Sequence, residues 1–204
     1  MVETQLRRRG IRDGRVLRAM TEIPREEFVP PEHRVQSYRD EPVHIGYGQT
    51  ISQPYMTALM AEVLELDGTE TVLEVGSGCG YAAAVLGALA ARVVTVEIVP
   101  GLAQMARANL RRTVRDANVT VVEGDGSLGY PERAPYDAIS VAAGAPDVPL
   151  PLLDQLNDPG RLTIPVGSFL DQELRVVWKR GGLIDTRVAT QCRFVPLRGG
   201  EGWN

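Results

Sequence analysis

The segment Val72–Gly80 constrains the fold of this chain more than any other part of its sequence. It reads Val-Leu-Glu-Val-Gly-Ser-Gly-Cys-Gly, so a strand-forming run passes directly into glycines at alternate positions. The run that follows, Tyr81–Leu89, is apolar on nearly all sides and predicts a deeply buried helix. Glycines permit a tight turn and a close approach of a ligand to the backbone, and a helix N-terminus favours negative or polar ligand groups. The segment therefore predicts a strand–loop–helix unit that holds a ligand.

Strands and helices alternate through most of the chain after Gly68. The predicted strands are Thr71–Val75, Val93–Val96, Val119–Val122, Tyr136–Val141 and Leu162–Val166, and the predicted helices between them are Tyr81–Leu89, Pro100–Leu110 and Leu150–Leu156. This alternation predicts the α/β class, with a Rossmann-like, doubly wound, mostly parallel sheet and helices on both faces. Two later strands, Leu174–Trp178 and Cys192–Val195, are expected to close one edge of the sheet. The segment Leu183–Thr190 is expected to connect them.

The first part of the chain predicts a helical extension. Asp13 is a good N-cap for a short helix that ends near Met20. The segment Arg39–Ile51 has no clear period and predicts a loop. Ser52 is expected to cap the next helix, because Pro54 would then lie in the first turn, where a missing N–H costs nothing.

The spacing of the glycines and two nearby acids indicates a nucleoside ligand. Gly76, Gly78 and Gly80 form G-x-G-x-G, whereas dinucleotide enzymes carry G-x-G-x-x-G. Glu97 ends the second predicted strand, so its carboxylate is expected at the same sheet edge, where it can accept both hydroxyls of a ribose. Asp125, between two glycines after the third strand, either reaches an adenine amino group or stabilises a turn.

Composition and charge disfavour several other classes of protein. The net charge of -4 is unlike the positive charge typical of proteins that bind nucleic acid, so no nucleic-acid partner is expected. No apolar run approaches the ~20 residues that span a membrane. Cys79 and Cys192 do not form a disulfide framework, which indicates a reducing, cytoplasmic compartment. His33 and His44 are the only histidines and lack ligand spacing, so no metal is expected. We expect a monomer.

The segment Gly46–Met56 narrows the family. It reads Gly-Tyr-Gly-Gln-Thr-Ile-Ser-Gln-Pro-Tyr-Met and resembles the signature of protein-L-isoaspartate O-methyltransferases. The resemblance runs from about Ile11 to Leu197 and includes Val72–Tyr81, Gly124–Gly126, Ala134–Ala138, Gly160–Gly167 and Arg193–Leu197. The sequence departs from the family at His44, Tyr47 and Ala82, where many members have proline, histidine and glutamine. These departures concern the substrate mouth rather than the cofactor loop.

The resemblance implies a class I methyltransferase that uses S-adenosylmethionine. By resemblance, the glycine loop and Glu74 hold the methionine part of the cofactor, Glu97 holds the ribose, and Asp125 with Gly126 lies at the adenine. Ser52 is then the active-site serine, and Ile51 and the strand around Val195 border the substrate. One domain over residues 1–204 is expected, with an N-terminal helical and substrate-loop segment at 1–66 and a cofactor-binding core with C-terminal strands at 67–197.

The implied activity is methylation of the free α-carboxylate of L-isoaspartyl residues in damaged proteins and peptides, which starts repair through a succinimide. Such a carboxyl has an ordinary pKa of about 3.3–3.7 and is ionised at neutral pH, so no general base is expected. One alternative is a methyltransferase that acts on an aspartate carboxylate of a dedicated peptide. A nicotinamide oxidoreductase and a non-catalytic protein–protein module are further alternatives, disfavoured by the glycine spacing and by the intact set of site residues.

Overall fold

The computed structural model describes residues 1–114 and 118–203. Its strands are β1 Val43–Gly46, β2 Gln49–Ile51, β3 Thr71–Val75, β4 Arg92–Glu97, β5 Val119–Glu123, β6 Tyr136–Val141, β7 Leu156–Gly167, β8 Gln172–Arg180 and β9 Leu183–Cys192. Its α-helices are α1 Gly14–Glu22, α2 Pro54–Val63, α3 Tyr81–Gly87, α4 Pro100–Thr113 and α5 Leu150–Asp154. No helix of the described ranges is long and apolar enough to cross a membrane.

Seven strands form one sheet in the order β5-β4-β3-β6-β7-β8-β9. The pairs from β5 to β7 are parallel, and β7, β8 and β9 pair in antiparallel fashion. The strand order reverses between β3 and β6, and ligands of such sheets bind in the crevice at the carboxyl ends of the strands beside that point. The predicted Rossmann-like α/β fold is confirmed.

The central strands are buried because helices cover both faces of the sheet. Val72 and Val93 pack with the N-terminal helices, α3 and α4 on one face, while Leu73 and Ile139 pack with residues of α5 and β7 on the other. Most of β9 is exposed, by contrast, because it is the last strand of the sheet. The predicted cap of α1 is confirmed, since the Asp13 carboxylate accepts the backbone N–H groups of Arg15 and Val16.

Three predictions of local structure are wrong. The segment Arg39–Ile51 is not a plain loop, because β1 and β2 pair within it as a short hairpin whose turn, Gly46–Gly48, has positive φ at all three residues. The last strand is Leu183–Cys192 rather than Cys192–Val195, because pairing with β8 orders a polar, exposed segment. The N-cap of α2 is Gln53, not Ser52, and it makes no side-chain capping bond.

Candidate active site

A pocket opens at the carboxyl ends of β3, β4 and β6, where the strand order reverses. Five parts of the chain line it. They are the glycine loop with the end of β4 and the start of α4, the hairpin with the start of α2, Gly126 after β5, the start of the loop after β6, and the segment 196–198. Residues distant in sequence therefore meet at one pocket.

Glu97 and the glycine loop are joined by direct hydrogen bonds. The Glu97 carboxylate accepts the backbone N–H of Gly78 at 2.8 Å and that of Val99 at 3.0 Å. Glu97 is buried yet lines the pocket. A carboxylate has about four acceptor positions, so two remain for hydroxyl groups of a ligand. The geometry suits the ribose role predicted for Glu97 and shows that the same residue also shapes the loop.

Glu74 lies beneath the loop rather than in the pocket wall. It is fully buried, and the Thr95 hydroxyl donates to its carboxyl group at 2.5 Å. The Thr95 hydroxyl also lies 2.6 Å from Oγ of Ser77, which does line the pocket. Burial raises the pKa of Glu74 to about 8, with a further contribution from the nearby Glu97 charge. Glu74 is therefore protonated at neutral pH and reaches the pocket only through Thr95 and Ser77.

Gly80 and Gly126 show why the pocket needs glycines at particular places. A Cβ at Gly126 would lie 2.6 Å from Cγ1 of Val75, so any side chain there would displace the strand that supports the pocket floor. Gly80 has φ +89° and does not line the pocket. A Cβ at Gly80 would lie 3.2 Å from the Cα of Ala106 in α4, so this glycine allows close helix packing.

Asp125 fastens a segment that covers one side of the pocket. We call residues 196–203 the strap. The Asp125 carboxylate accepts the backbone N–H of Gly200 at 2.8 Å and that of Ser127 at 2.9 Å, and the Ser127 hydroxyl accepts the N–H of Glu201 at 3.0 Å. The indole N–H of Trp203 donates to the carbonyl of Gly144 at 2.9 Å. Asp125 itself does not line the pocket, so the geometry gives it a role in holding the strap.

Ser52 lies at the mouth of the pocket, just before α2. Its hydroxyl has no hydrogen-bond partner among the described residues, and it is not used as a helix cap. Its carbonyl accepts a hydrogen bond of 2.6 Å from the guanidinium of Arg25. The main chain at Ser52 is therefore fixed while the hydroxyl remains available to a ligand.

The pocket brings together six of the predicted site residues: Ile51, Ser52, Gly76, Gly78, Glu97 and Gly126. Four others lie outside its wall: Glu74, Gly80, Asp125 and Val195. Val195 lies next to the strap, and its carbonyl accepts the N–H of Gly144 at 2.8 Å. Those four lie outside the lining and contact the loop, the strap, the loop after β6 or helix α4.

Sequence reasoning missed several residues that line the pocket. Thr57 follows Ser52 by just over one helical turn, and Ile98 presents a side chain that is 40% exposed. Arg198 and Pro196 come from the strap. Ala142 follows the end of β6 and could have been found by extending the sheet-edge argument to the fourth predicted strand. The strap carried no comparable signal, because its position depends on contacts across the fold.

Fold and site together define a Rossmann-like, class I methyltransferase. The protein-L-isoaspartate(D-aspartate) O-methyltransferase family matches residues 1–202, so the chain belongs to that family. A protein-L-isoaspartate O-methyltransferase from Methanoregula boonei is 50% identical, with all of this chain and 93% of the relative covered. One from Marinobacter nauticus, with the same name and the suffix 2, is 54% identical over the same shares.

Solved structures agree with this assignment. A protein-L-isoaspartate O-methyltransferase superposes with a TM-score of 0.84 at 32% identity, covering 98% of this chain and 67% of the other. A Plasmodium falciparum structure described as the same kind of enzyme, in complex with S-adenosyl-L-homocysteine, gives a TM-score of 0.82 at 28% identity and covers 97% and 96% of the two chains. The family predicted from Gly46–Met56 is confirmed.

Proposed function

We propose that this chain transfers the methyl group of S-adenosylmethionine to the free α-carboxylate of L-isoaspartyl residues in damaged proteins and peptides. The observation that carries the proposal is that Ser52 and Ile51 share one pocket with the glycine loop and Glu97. Family membership over residues 1–202 supports the activity. The related structure with S-adenosyl-L-homocysteine, the demethylated form of the cofactor, supports the choice of methyl donor.

The residues present fit this cofactor. The two remaining acceptor positions of the buried Glu97 carboxylate would hold the ribose hydroxyls, and Gly76 and Gly78 would lie against the methionine part. Gly126 lines the pocket at a position where a Cβ would clash with Val75. When bound, S-adenosylmethionine supplies an electrophilic methyl group on its sulfonium. Glu74 supports this region through Thr95 and Ser77.

The chain has to align the acceptor rather than activate it. An α-carboxyl of ordinary pKa is ionised at neutral pH, so no proton has to be removed. No histidine lines the pocket in the described part of the chain. The Ser52 hydroxyl would donate to the acceptor carboxylate and orient it toward the methyl group. Holding both reactants in attack geometry can supply ~7–11 kcal/mol, which is the main catalytic contribution that this site offers.

We also propose that the protein acts as a monomer in the cytoplasm and does not bind nucleic acid. The free thiols of Cys79 and Cys192 suit a reducing compartment. The net charge of -4 disfavours a polyanionic partner. Light scattering coupled to size-exclusion chromatography tests the oligomeric state: a mass near that of one chain is expected, and a mass of two or more chains would contradict it.

Two peptides that differ only in one linkage test the substrate. An isoaspartyl linkage places the free carboxylate one carbon closer to the main chain than a normal aspartyl linkage does. A misplacement of about 1 Å can lower a rate by about a hundredfold, so labelled methyl groups should enter the isoaspartyl peptide at least about a hundredfold faster. Equal methylation of the two peptides, or methylation of the aspartyl peptide alone, would favour an enzyme that modifies a dedicated peptide.

A further inference from the structure

Arg25 is a completely buried arginine that touches the main chain of the active-site segment. It opens the short turn Arg25–Phe28 after α1 and has no exposed surface. Its Nε donates to the carbonyl of Ser37 at 2.6 Å, and its Nη2 donates to the carbonyl of Ser52 at 2.6 Å. The guanidinium carbon lies 4.9 Å from the ring centroid of Tyr81, which also lines the pocket. Arg25 therefore lies directly behind the pocket wall.

The positive charge of Arg25 has no carboxylate partner among the described residues. The two acids that follow it are engaged elsewhere, since Glu26 accepts from the Tyr38 hydroxyl and Glu27 pairs with Arg34 and Arg112. Nη1 of Arg25 is buried and has no hydrogen-bond partner in the part of the chain that the structure describes. Burial lowers the pKa of Arg25, but arginine stays protonated in proteins.

An unpaired buried charge is costly, and most buried charges are paired or coordinate a ligand. Arg15 shows what a purely structural arginine looks like in the same part of the fold. It donates to the carbonyls of Leu66 at 2.6 Å and Leu89 at 2.9 Å and remains half-buried, and neither of these two partners lines the pocket. Arg25 differs because it is fully buried, retains an unused donor and contacts Ser52.

We infer that Arg25 is a positioning residue for the acceptor carboxylate. It fixes the main chain at Ser52, and its uncompensated charge attracts a carboxylate that enters the pocket beside the Ser52 hydroxyl. The negative charge that Arg25 lacks among the described residues is then supplied by the substrate. This inference rests on the proposed function, because it requires an acceptor that carries a carboxylate.

The test compares binding of an isoaspartyl peptide with that of the same peptide whose α-carboxylate is an amide. Calorimetry on protein saturated with S-adenosyl-L-homocysteine gives both dissociation constants for the wild type, Arg25→Gln, Arg25→Lys and Arg15→Gln. The wild type should prefer the carboxylate by about tenfold or more, as expected for hydrogen bonds and attraction to a charged group. Arg25→Gln removes the charge and should lose most of this preference. Its affinity for S-adenosyl-L-homocysteine should change by less than about threefold, because Arg25 is not expected to contact that ligand.

Arg25→Lys keeps the charge but not the planar two-donor geometry. It should keep the carboxylate preference while lowering kcat, because Ser52 is less well fixed. Arg15→Gln should keep both the preference and kcat. Full preference in folded Arg25→Gln, or equal loss in the Lys and Gln variants, would overturn the inference. If Arg25→Gln does not fold, loss of the carboxylate preference in folded Arg25→Lys would by itself overturn the inference. A wild-type protein that binds neither peptide would instead contradict the proposed function.

Discussion

The two walls of the pocket are built in different ways. The wall proposed to hold the cofactor, called the cofactor wall, comes from the ends of neighbouring parallel strands, with the loop after β3 bonded to Glu97 at the end of β4. The wall proposed to hold the acceptor, called the acceptor wall, comes from a hairpin and a strap outside the parallel strands, held by single side chains such as Arg25 and Asp125. The sheet therefore fixes the first wall, whereas a few long-range hydrogen bonds fix the second. Acceptor specificity can change in such an enzyme while the fold and the cofactor site stay the same.

The sharpest separation of the two walls is expected from Ser52→Ala. Loss of a single orienting donor can cost about a hundredfold or more in turnover. The affinity for S-adenosylmethionine should change little, because the Ser52 hydroxyl is assigned to the acceptor. Single-turnover methylation of an isoaspartyl peptide gives the rate, and calorimetry gives the cofactor affinity. A variant that loses cofactor affinity and rate in equal measure would show that the walls are not separate.

Glu97→Ala should have the opposite effect. The carboxylate is expected to bind the ribose and also accepts the N–H groups of Gly78 and Val99. Bonds to charged groups are worth about 1.5–3 kcal/mol, so cofactor affinity should fall roughly 10- to 150-fold.

Glu123→Ala is the matched control for Glu97→Ala. Glu123 pairs in register with Glu97 at the end of the next strand but is exposed. Its removal should leave cofactor affinity within about twofold, as is usual for exposed surface positions. Equal losses in the two variants would remove Glu97 from the ribose site.

Gly80→Ala and Gly48→Ala compare how tightly the segments next to the two walls are packed. Both glycines have positive φ, which costs other residues about 1–2 kcal/mol. A Cβ at Gly80 would also press on Ala106, whereas within the described residues a Cβ at Gly48 meets nothing within 4 Å. Urea unfolding should therefore show a larger loss of stability for Gly80→Ala, by about 1 kcal/mol or more. A larger loss for Gly48→Ala would mean that the hairpin is the more tightly packed wall.

Glu74→Gln should act on stability, and only as a change with pH. The pKa of Glu74 is raised from 4.5 to about 8, so between these values the folded protein keeps a proton that the unfolded chain has released. Its contribution to the free energy of unfolding therefore falls as pH rises through that window, by at most about 1.4 kcal/mol per pH unit. Glutamine does not titrate, so the stability of Glu74→Gln relative to wild type should increase from pH 5 to pH 8. Parallel denaturation curves across that range would argue against a buried, protonated Glu74.

The sheet and the cofactor wall could be predicted from the sequence because their signals are local. The glycines follow β3 and the acid ends β4, and both strand ends can be located from the hydrophobic period and the turn residues in the sequence. The sheet-edge rule then brings Glu97 to the loop, as the hydrogen bond to Gly78 shows. The hydrophobic period could not show that Glu74 lies outside the pocket lining. Strand β3 is covered on both faces, so nearly all of its side chains are buried and no alternation marks which of them face the pocket.

The acceptor wall was harder to predict, because its order comes from distant partners. The hairpin strands are only 4 and 3 residues long, too short for a period to emerge. Ser52 has the residue type of an N-cap, yet the N-cap of α2 is the next residue, Gln53. The carbonyl of Ser52 instead accepts a hydrogen bond from Arg25. Asp125 sits in a turn-like sequence, and only the folded chain brings Gly200 within reach of its carboxylate.

The strap also sets the order in which the pocket can be assembled during synthesis. The glycine loop, Glu97 and the hairpin all precede residue 100, and their supporting strands precede residue 142. The strap, fastened to Asp125, Ser127 and Gly144, is made more than 50 residues later. A nascent chain can therefore form the floor of the pocket while it still lacks the cover. The lining of the pocket is complete only when the strap has left the ribosome and docked against Asp125 and Gly144.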